Sequence, residues 1–310
     1  MSEYNYSVIN VQGDLSYELQ NSLYKFDRHP FRTTVLEEGR HAIHSQTTLS
    51  NYSWVDFTRF RWNRRGDYLT PTKGFTFMRV RIYEGVYIDM INLDTEVAGT
   101  LPVDPNVRLW NIQQVADFID ANSAGNAVIV VGNTHSLYTG FMDNIRLFTI
   151  NNGLTDAWVQ AIGGNAPASG ADVIVCPPGV PSNIGCEGID KVFYRGSPII
   201  DLSSSGFFYD TSRFLTPKGV PLFKRNPIRV EFVYTLKSGL RQSDLCGGPH
   251  GTWFNDLPSI PSSPKLSSIT FRGGRRLDGL TLTLASGQTF IHGGWGGNPY
   301  SLALTPGEYI

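Results

Sequence analysis

The sequence has few charges, few cysteines and no long apolar run, and each shortage excludes something. Charged residues make up 17% of the 310, 26 basic and 27 acidic, for a net charge of −1. A chain so near neutrality exerts no global pull on nucleic acid, which is not expected as a partner. Three cysteines are too few for a disulfide-stapled scaffold. No apolar run reaches the ~18 residues of a membrane span, so no membrane association is expected. The opening MSEYNYSVIN has neither the basic nor the apolar part of a secretory leader, which gives a cytoplasmic expectation. What is present is 41% hydrophobic residues, enough to build a core. With them come 32 glycines, 18 prolines and many aromatics, a mixture that favours strands and loops over helices.

Periodicity then places elements. Phe75–Ile82 and Val86–Leu93 alternate apolar and polar residues and predict a hairpin through Tyr83-Glu84-Gly85. Arg108–Asn122 puts Leu109, Ile112, Val115, Ala116 and Ile119 on one helical face, with Asp104-Pro105 as its start. Ala127–Val131 is a continuous apolar run ending in Gly132, as in a strand covered on both faces. Lys191–Tyr194 and Ile228–Tyr234 read as further strands, and the whole as a layered α/β sandwich. Near residue 237 the composition turns polar, then Gly/Pro/Ser-rich. Short strands at Leu266–Phe271, Leu280–Leu284, Thr289–His292 and Tyr300–Leu304 follow. This predicts an α/β domain over 1–236 and a small all-β unit over 243–310.

The segments VINVQGDLSY (8–17), KFDRHPFRTT (25–34), LTPTKGFTFMRVRIYEGVYIDMINL (69–93), SAGNAVIVVGNTHSLYT (123–139), DNIRLF (143–148), GLTDAWVQ (153–160) and CEGIDKVFYRGSPI (186–199) carry a likeness. Through them the first 236 residues resemble the endonuclease/exonuclease/phosphatase superfamily, in its fungal, sphingomyelinase-like branch. The resemblance implies a four-layer DNase-I-like α/β sandwich and metal-assisted phosphoester hydrolysis, with a histidine base oriented by an aspartate. Residues 243–264 and 282–297 resemble the start of a jacalin-type lectin domain, with Gly247-Gly248 at its sugar-site glycines and about half of the prism present. That implies at most weak glycan binding. Its open sheet edges predict packing on the first domain or a homodimer.

Motif by motif, the chemistry departs from the family. The metal-binding Glu position holds Gly13. The Asn-Leu-His motif reads Asn92-Leu93-Asp94, with Glu96 a rival for the aligned acid. The Gly-Asp-x-Asn motif reads Gly132-Asn133-Thr134-His135, and the closing Ser-Asp-His reads Phe223-Lys224-Arg225. Asp190, in IDKVFY, matches the one surviving catalytic carboxylate. Hard cations need oxygen ligands with carboxylates among them, so neither a metal nor another cofactor is expected. The expected site instead has Lys224, Arg225, Asn92, Asn133 and His41 holding a small anionic molecule, and Asp94, Asp190 and His135 moving protons. Two nearby carboxylates, Asp94 and Asp190, would raise one pKa towards neutrality. The expected function is metal-independent catalysis of cyclase, lyase or isomerase type on a small molecule, as in fungal secondary metabolism. A non-catalytic ligand- or glycan-binding role is the alternative, and a magnesium-dependent phosphodiesterase comes last.

Bland readings cover the rest. Arg40, His41 and His44 read as a solvated loop that borders the cleft. Arg59, Arg61, Arg64 and Arg65 with Phe60 and Trp62 read as a half-exposed edge strand with a turn at Arg64–Asp67. Cys176 and Cys186 resemble a pair that joins in secreted relatives, but in a cytosolic chain they are expected to stay reduced. Cys246 reads as a small buried residue.

Overall fold

The computed structural model describes residues 2–13, 17–34, 46–65, 73–96, 106–141, 143–172, 174–239, 241–245 and 253–308. Arg40, His41, His44, Asp67, Asp104, Pro105, Cys246, Gly247 and Gly248 lie outside them. Two compact units form, Met1–Pro249 and His250–Ile310, so residues 243–245 go with the first rather than the second. There Asp244 accepts two hydrogen bonds from the Arg81 guanidinium, at 2.9 and 2.7 Å, and one from the Gly85 amide at 2.8 Å.

In chain order the first unit comprises β1 (Val8–Val11), α1 (Tyr17–Phe26), β2 (Phe31–Arg32), β3 (Thr47–Ser50), β4 (Trp54–Arg61), β5 (Gly74–Tyr83), β6 (Val86–Asp94) and α2 (Val107–Asn122). It continues with β7 (Ala127–Asn133), α3 (Leu147–Ile150), β8 (Thr155–Asp156), α4 (Ala157–Ala161), β9 (Asp190–Arg195), β10 (Ile200–Tyr209) and β11 (Ile228–Leu236). Six strands form the central sheet in the order β4-β5-β6-β7-β9-β8. Facing it are a three-stranded sheet, β1-β3-β2, and the β10-β11 pair. Helices cover the outer sides, giving the four-layer α/β sandwich that the resemblance implies.

The alternation of β5 and β6 sorts their side chains into two layers. Phe75 and Phe77 face outward, where Phe118 of α2 meets both rings at 5.2 and 5.1 Å. Met78, Val80 and Met90 face inward and pack with Val8 and Trp54. The β5–β6 hairpin turns at Glu84-Gly85, with Gly85 at φ 64°. α2 buries Val107, Asn111, Ile112, Val115, Ala116 and Ile119, while Leu109 is only half-buried. β7 continues through Gly132 to Asn133. At φ 136°, a Cβ on Gly132 would lie 2.0 Å from the Leu93 carbonyl oxygen, so glycine permits the close β6–β7 approach. β4 is the edge strand that the sequence predicts. Its Arg59 donates to the backbone oxygens of Gln46 and Thr34, and Arg64 stacks on Trp110. Cys176 and Cys186 form a disulfide, which corrects their expected reduced state.

The second unit is one antiparallel sheet of β12 (Leu266–Gly273), β13 (Leu277–Leu284), β14 (Thr289–Gly293) and β15 (Asn298–Ala303), in the order β14-β13-β12-β15. The register places His292, Leu280, Phe271 and Tyr300 in one cross-strand row. His292 binds Asp256 at 2.6 Å and stacks on Phe254. Among the described residues, no helix is long and apolar enough to cross a membrane.

Candidate functional site

The site grows from one row of the central sheet. The parallel β6–β7 register pairs Asp94 with Asn133, and the antiparallel β7–β9 register pairs Asn133 with Asp190. Directly paired residues on neighbouring strands project to the same face, so all three point to the inner face at one end of the sheet. The two carboxylates therefore stand two strands apart with an amide between them. Glu96, the rival acid, is buried outside this row, and its amide donates to Asn111 Oδ1 at 2.9 Å.

The two acids differ sharply. Asp94 is buried. Lys73 Nζ lies 3.4 Å from its Oδ1, and Trp62 Nε1 donates to its backbone oxygen at 2.9 Å. Asp190 opens into a cavity of about 220 Å³ that Lys224 and Arg225 also line. Arg225 approaches it loosely, at 3.8 Å. Burial pushes the Asp190 carboxyl up to about 6; Arg225 opposes the rise and the charge of Asp94 adds to it.

His135 follows β7 and holds φ 47°, a strained conformation of the kind that collects at functional sites. Thr95 Oγ1 donates to the Thr134 carbonyl at 2.8 Å, so at 3.3 Å it accepts from His135 Nδ1–H. His135 Nε2 then carries the lone pair and accepts from Asn133 Nδ2 at 3.1 Å and Arg225 at 3.2 Å. Burial, then Lys73, Arg225 and Arg108, lower this imidazole to about 3. His135 is thus neutral, and its only basic nitrogen already has two donors.

Asn92, two residues before Asp94, is nearly fully buried and faces β1 and β3. Its Nδ2 donates to the Val11 and Thr47 oxygens, and its Oδ1 accepts from Gln12 at 2.6 Å. It ties the two sheets together and does not line the cavity. The residues brought together are therefore Asp190, Arg225, Lys224, Asn133 and His135. Asp94 sits beside them and Asn92 behind them, and His41 lies outside the described residues.

Sequence reading missed two residues at this place. Lys73 neutralises Asp94 from 21 positions away. Glu187, beneath Asp190, accepts from the Tyr138 amide, from Thr139 Oγ1 at 3.1 Å and from Lys191 Nζ at 3.1 Å. Lys191 lies over the Tyr138 and Trp158 rings at 4.7 and 5.3 Å. Both missed residues fall inside the family-like segments, but only the fold gives them partners.

No family model matches the chain. It is similar to the sphingomyelinases of Mycobacterium bovis and Mycobacterium tuberculosis, 34% identical over 239 residues, covering 74% of this chain and 46% of theirs. The chain thus spans about half the length of the curated relatives it matches. Two solved structures share its fold. One is a functionally unknown conserved protein from Enterococcus faecalis, with a TM-score of 0.55 and 11% identity, covering 75% of this chain and 87% of that one. The other is a D. rerio TDP2 complexed with a single-strand DNA product, with a TM-score of 0.53 and 12% identity, covering 74% and 87%. The fold is therefore DNase-I-like.

Proposed function

We propose that the first unit holds a metal-independent small-molecule site, in which Arg225 and Lys224 bind an anionic group and Asp190 transfers a proton. The observation that carries this reading is the Arg225 guanidinium itself, set between Asp190 and His135 Nε2 at the mouth of the row. A fixed planar cation there supplies the charge that a divalent ion supplies in the family, and it can grip an oxyanion with two N–H groups.

The residues present do not fit the divalent cation that the fold family implies. Gly13 has no side chain to offer, and its φ of 110° is one that side-chain-bearing residues rarely adopt. Asp94 faces Lys73, and Asp190 faces Arg225. Among the described residues, no three His, Cys, Asp or Glu side chains converge in a way that could hold a metal ion. Proton transfer then rests on Asp190, whose raised pKa suits exchange near neutral pH. The engaged lone pair of His135 makes it an orienting group rather than the base. The same engagement favours the alternative of binding without catalysis.

Sulfate tests the reading because it does not titrate in the working range. Asp190 loses its charge as pH falls through about 6, removing a negative neighbour and releasing Arg225. Sulfate affinity should rise about tenfold from pH 7.5 to pH 5, and Asp190→Asn should hold the high-affinity value at both. Affinity that does not change with pH in the unmodified protein would count against Asp190. A second reading, a magnesium-dependent phosphodiesterase acting on sphingomyelin, is favoured by the 34% identity to the mycobacterial proteins. Sphingomyelin turnover that requires magnesium would decide for it.

A further inference from the structure

The cavity that receives Asp190 is lined by two unlike sets of residues. One is charged: Asp190, Lys224 and Arg225. The other is apolar: Val175, Pro177, Pro178, Pro221, Phe223 and Ile228. Val175 is 56% exposed and Phe223 43% exposed, so the second set presents apolar surface to water. Apolar surface beside a few convergent polar groups marks a ligand site rather than ordinary surface scatter.

The apolar lining is held in shape. Phe223 meets Phe214 edge-on at 5.4 Å. The Cys176–Cys186 disulfide closes the loop that bears Pro177 and Pro178. Beside it the Cys176 amide donates to the Glu187 oxygen at 3.2 Å, and the Glu187 amide to the Ile174 oxygen at 2.8 Å. Tyr209, itself in the cavity wall, donates to the Cys186 oxygen at 2.8 Å. A lining ordered before binding adds affinity that a mobile loop would lose to ordering. The cavity has a volume of about 220 Å³. That is room for a ring or a short chain.

We infer that the occupant is a compact organic anion, whose charged head sits on Lys224 and Arg225 and whose aromatic or short aliphatic body lies against Phe223 and Val175. This rests on the anion-binding reading above and adds the chemistry of the body. Methanesulfonate, butanesulfonate and benzenesulfonate share one head and one charge and differ only in the body, so they separate the two claims. Titrated at pH 5 into the full chain, benzenesulfonate should bind at least about tenfold more tightly than methanesulfonate, with butanesulfonate between. In Phe223→Ser and, separately, in Val175→Ser, that ratio should fall to about threefold or less. Unchanged circular dichroism would establish that each variant folds. Three equal affinities would overturn the inference and leave the anion site standing. Failure of all three sulfonates and of sulfate to bind would overturn both.

Discussion

Replacing Arg225 with glutamine should weaken sulfate binding by about tenfold to a hundredfold, the span expected when a charge-assisted hydrogen bond to a bound anion is lost. The effect should exceed that of Lys224→Ala. Both side chains are exposed, but Arg225 hydrogen-bonds His135 Nε2 beside Asp190 and can grip an anion with two N–H groups, whereas Lys224 offers a point charge. Calorimetric titration at pH 5 and low ionic strength would measure both. Equal, small losses in the two variants would mean that sulfate sits elsewhere on the surface.

Replacing Glu187 with alanine should destabilise the first unit by about 3–5 kcal/mol, the range for removing one partner of a buried ion pair. The Glu187 and Lys191 side chains are 3% and 2% exposed. Without the carboxylate, the Lys191 ammonium would remain buried over the Tyr138 and Trp158 rings without its direct ion-pair partner. The Tyr138 amide and the Thr139 hydroxyl would also lose their acceptor. Those two residues follow His135 closely, so the change should also loosen the loop that carries it. Lys237→Ala is the contrasting case. Its pair with Asp201 has side chains 40% and 69% exposed, and its loss should cost less than about 1 kcal/mol. Denaturant midpoints for the two variants would check the difference, and similar values would contradict the assigned burial.

The difference between those two ion pairs also shows what the sequence could reveal. The β5–β6 hairpin, α2, β7 and the strands of the second unit are legible because alternation or helical spacing repeats over several residues. β10 is not, since its Ser203-Ser204-Ser205-Gly206 centre reads as a loop. It becomes a strand by pairing with β11 around a bulge between Ser204 and Gly206. α1 is not legible either, since its ten residues, Tyr17–Phe26, give the helical spacing too few turns to repeat. At the site, the residues themselves suggested nothing for Asp190, Asn133 or Arg225; only likeness to family motifs singled them out. Their convergence depends on the β6–β7–β9 register, and that of Lys73 and Glu187 on side-chain contacts, neither of which has a local sequence signal. The two nearby carboxylates stand in one ladder row with Asn133 between them. The upward shift of Asp190 comes first from burial and only then from Asp94.

Metal independence is tested most directly by titrating sulfate into chelator-treated protein at pH 5, with and without added magnesium. The expected result is saturable binding whose affinity is the same in both solutions and falls by about tenfold or more in Arg225→Gln. Binding that appears only when magnesium is present would contradict a site whose charge is supplied by Arg225 and Lys224.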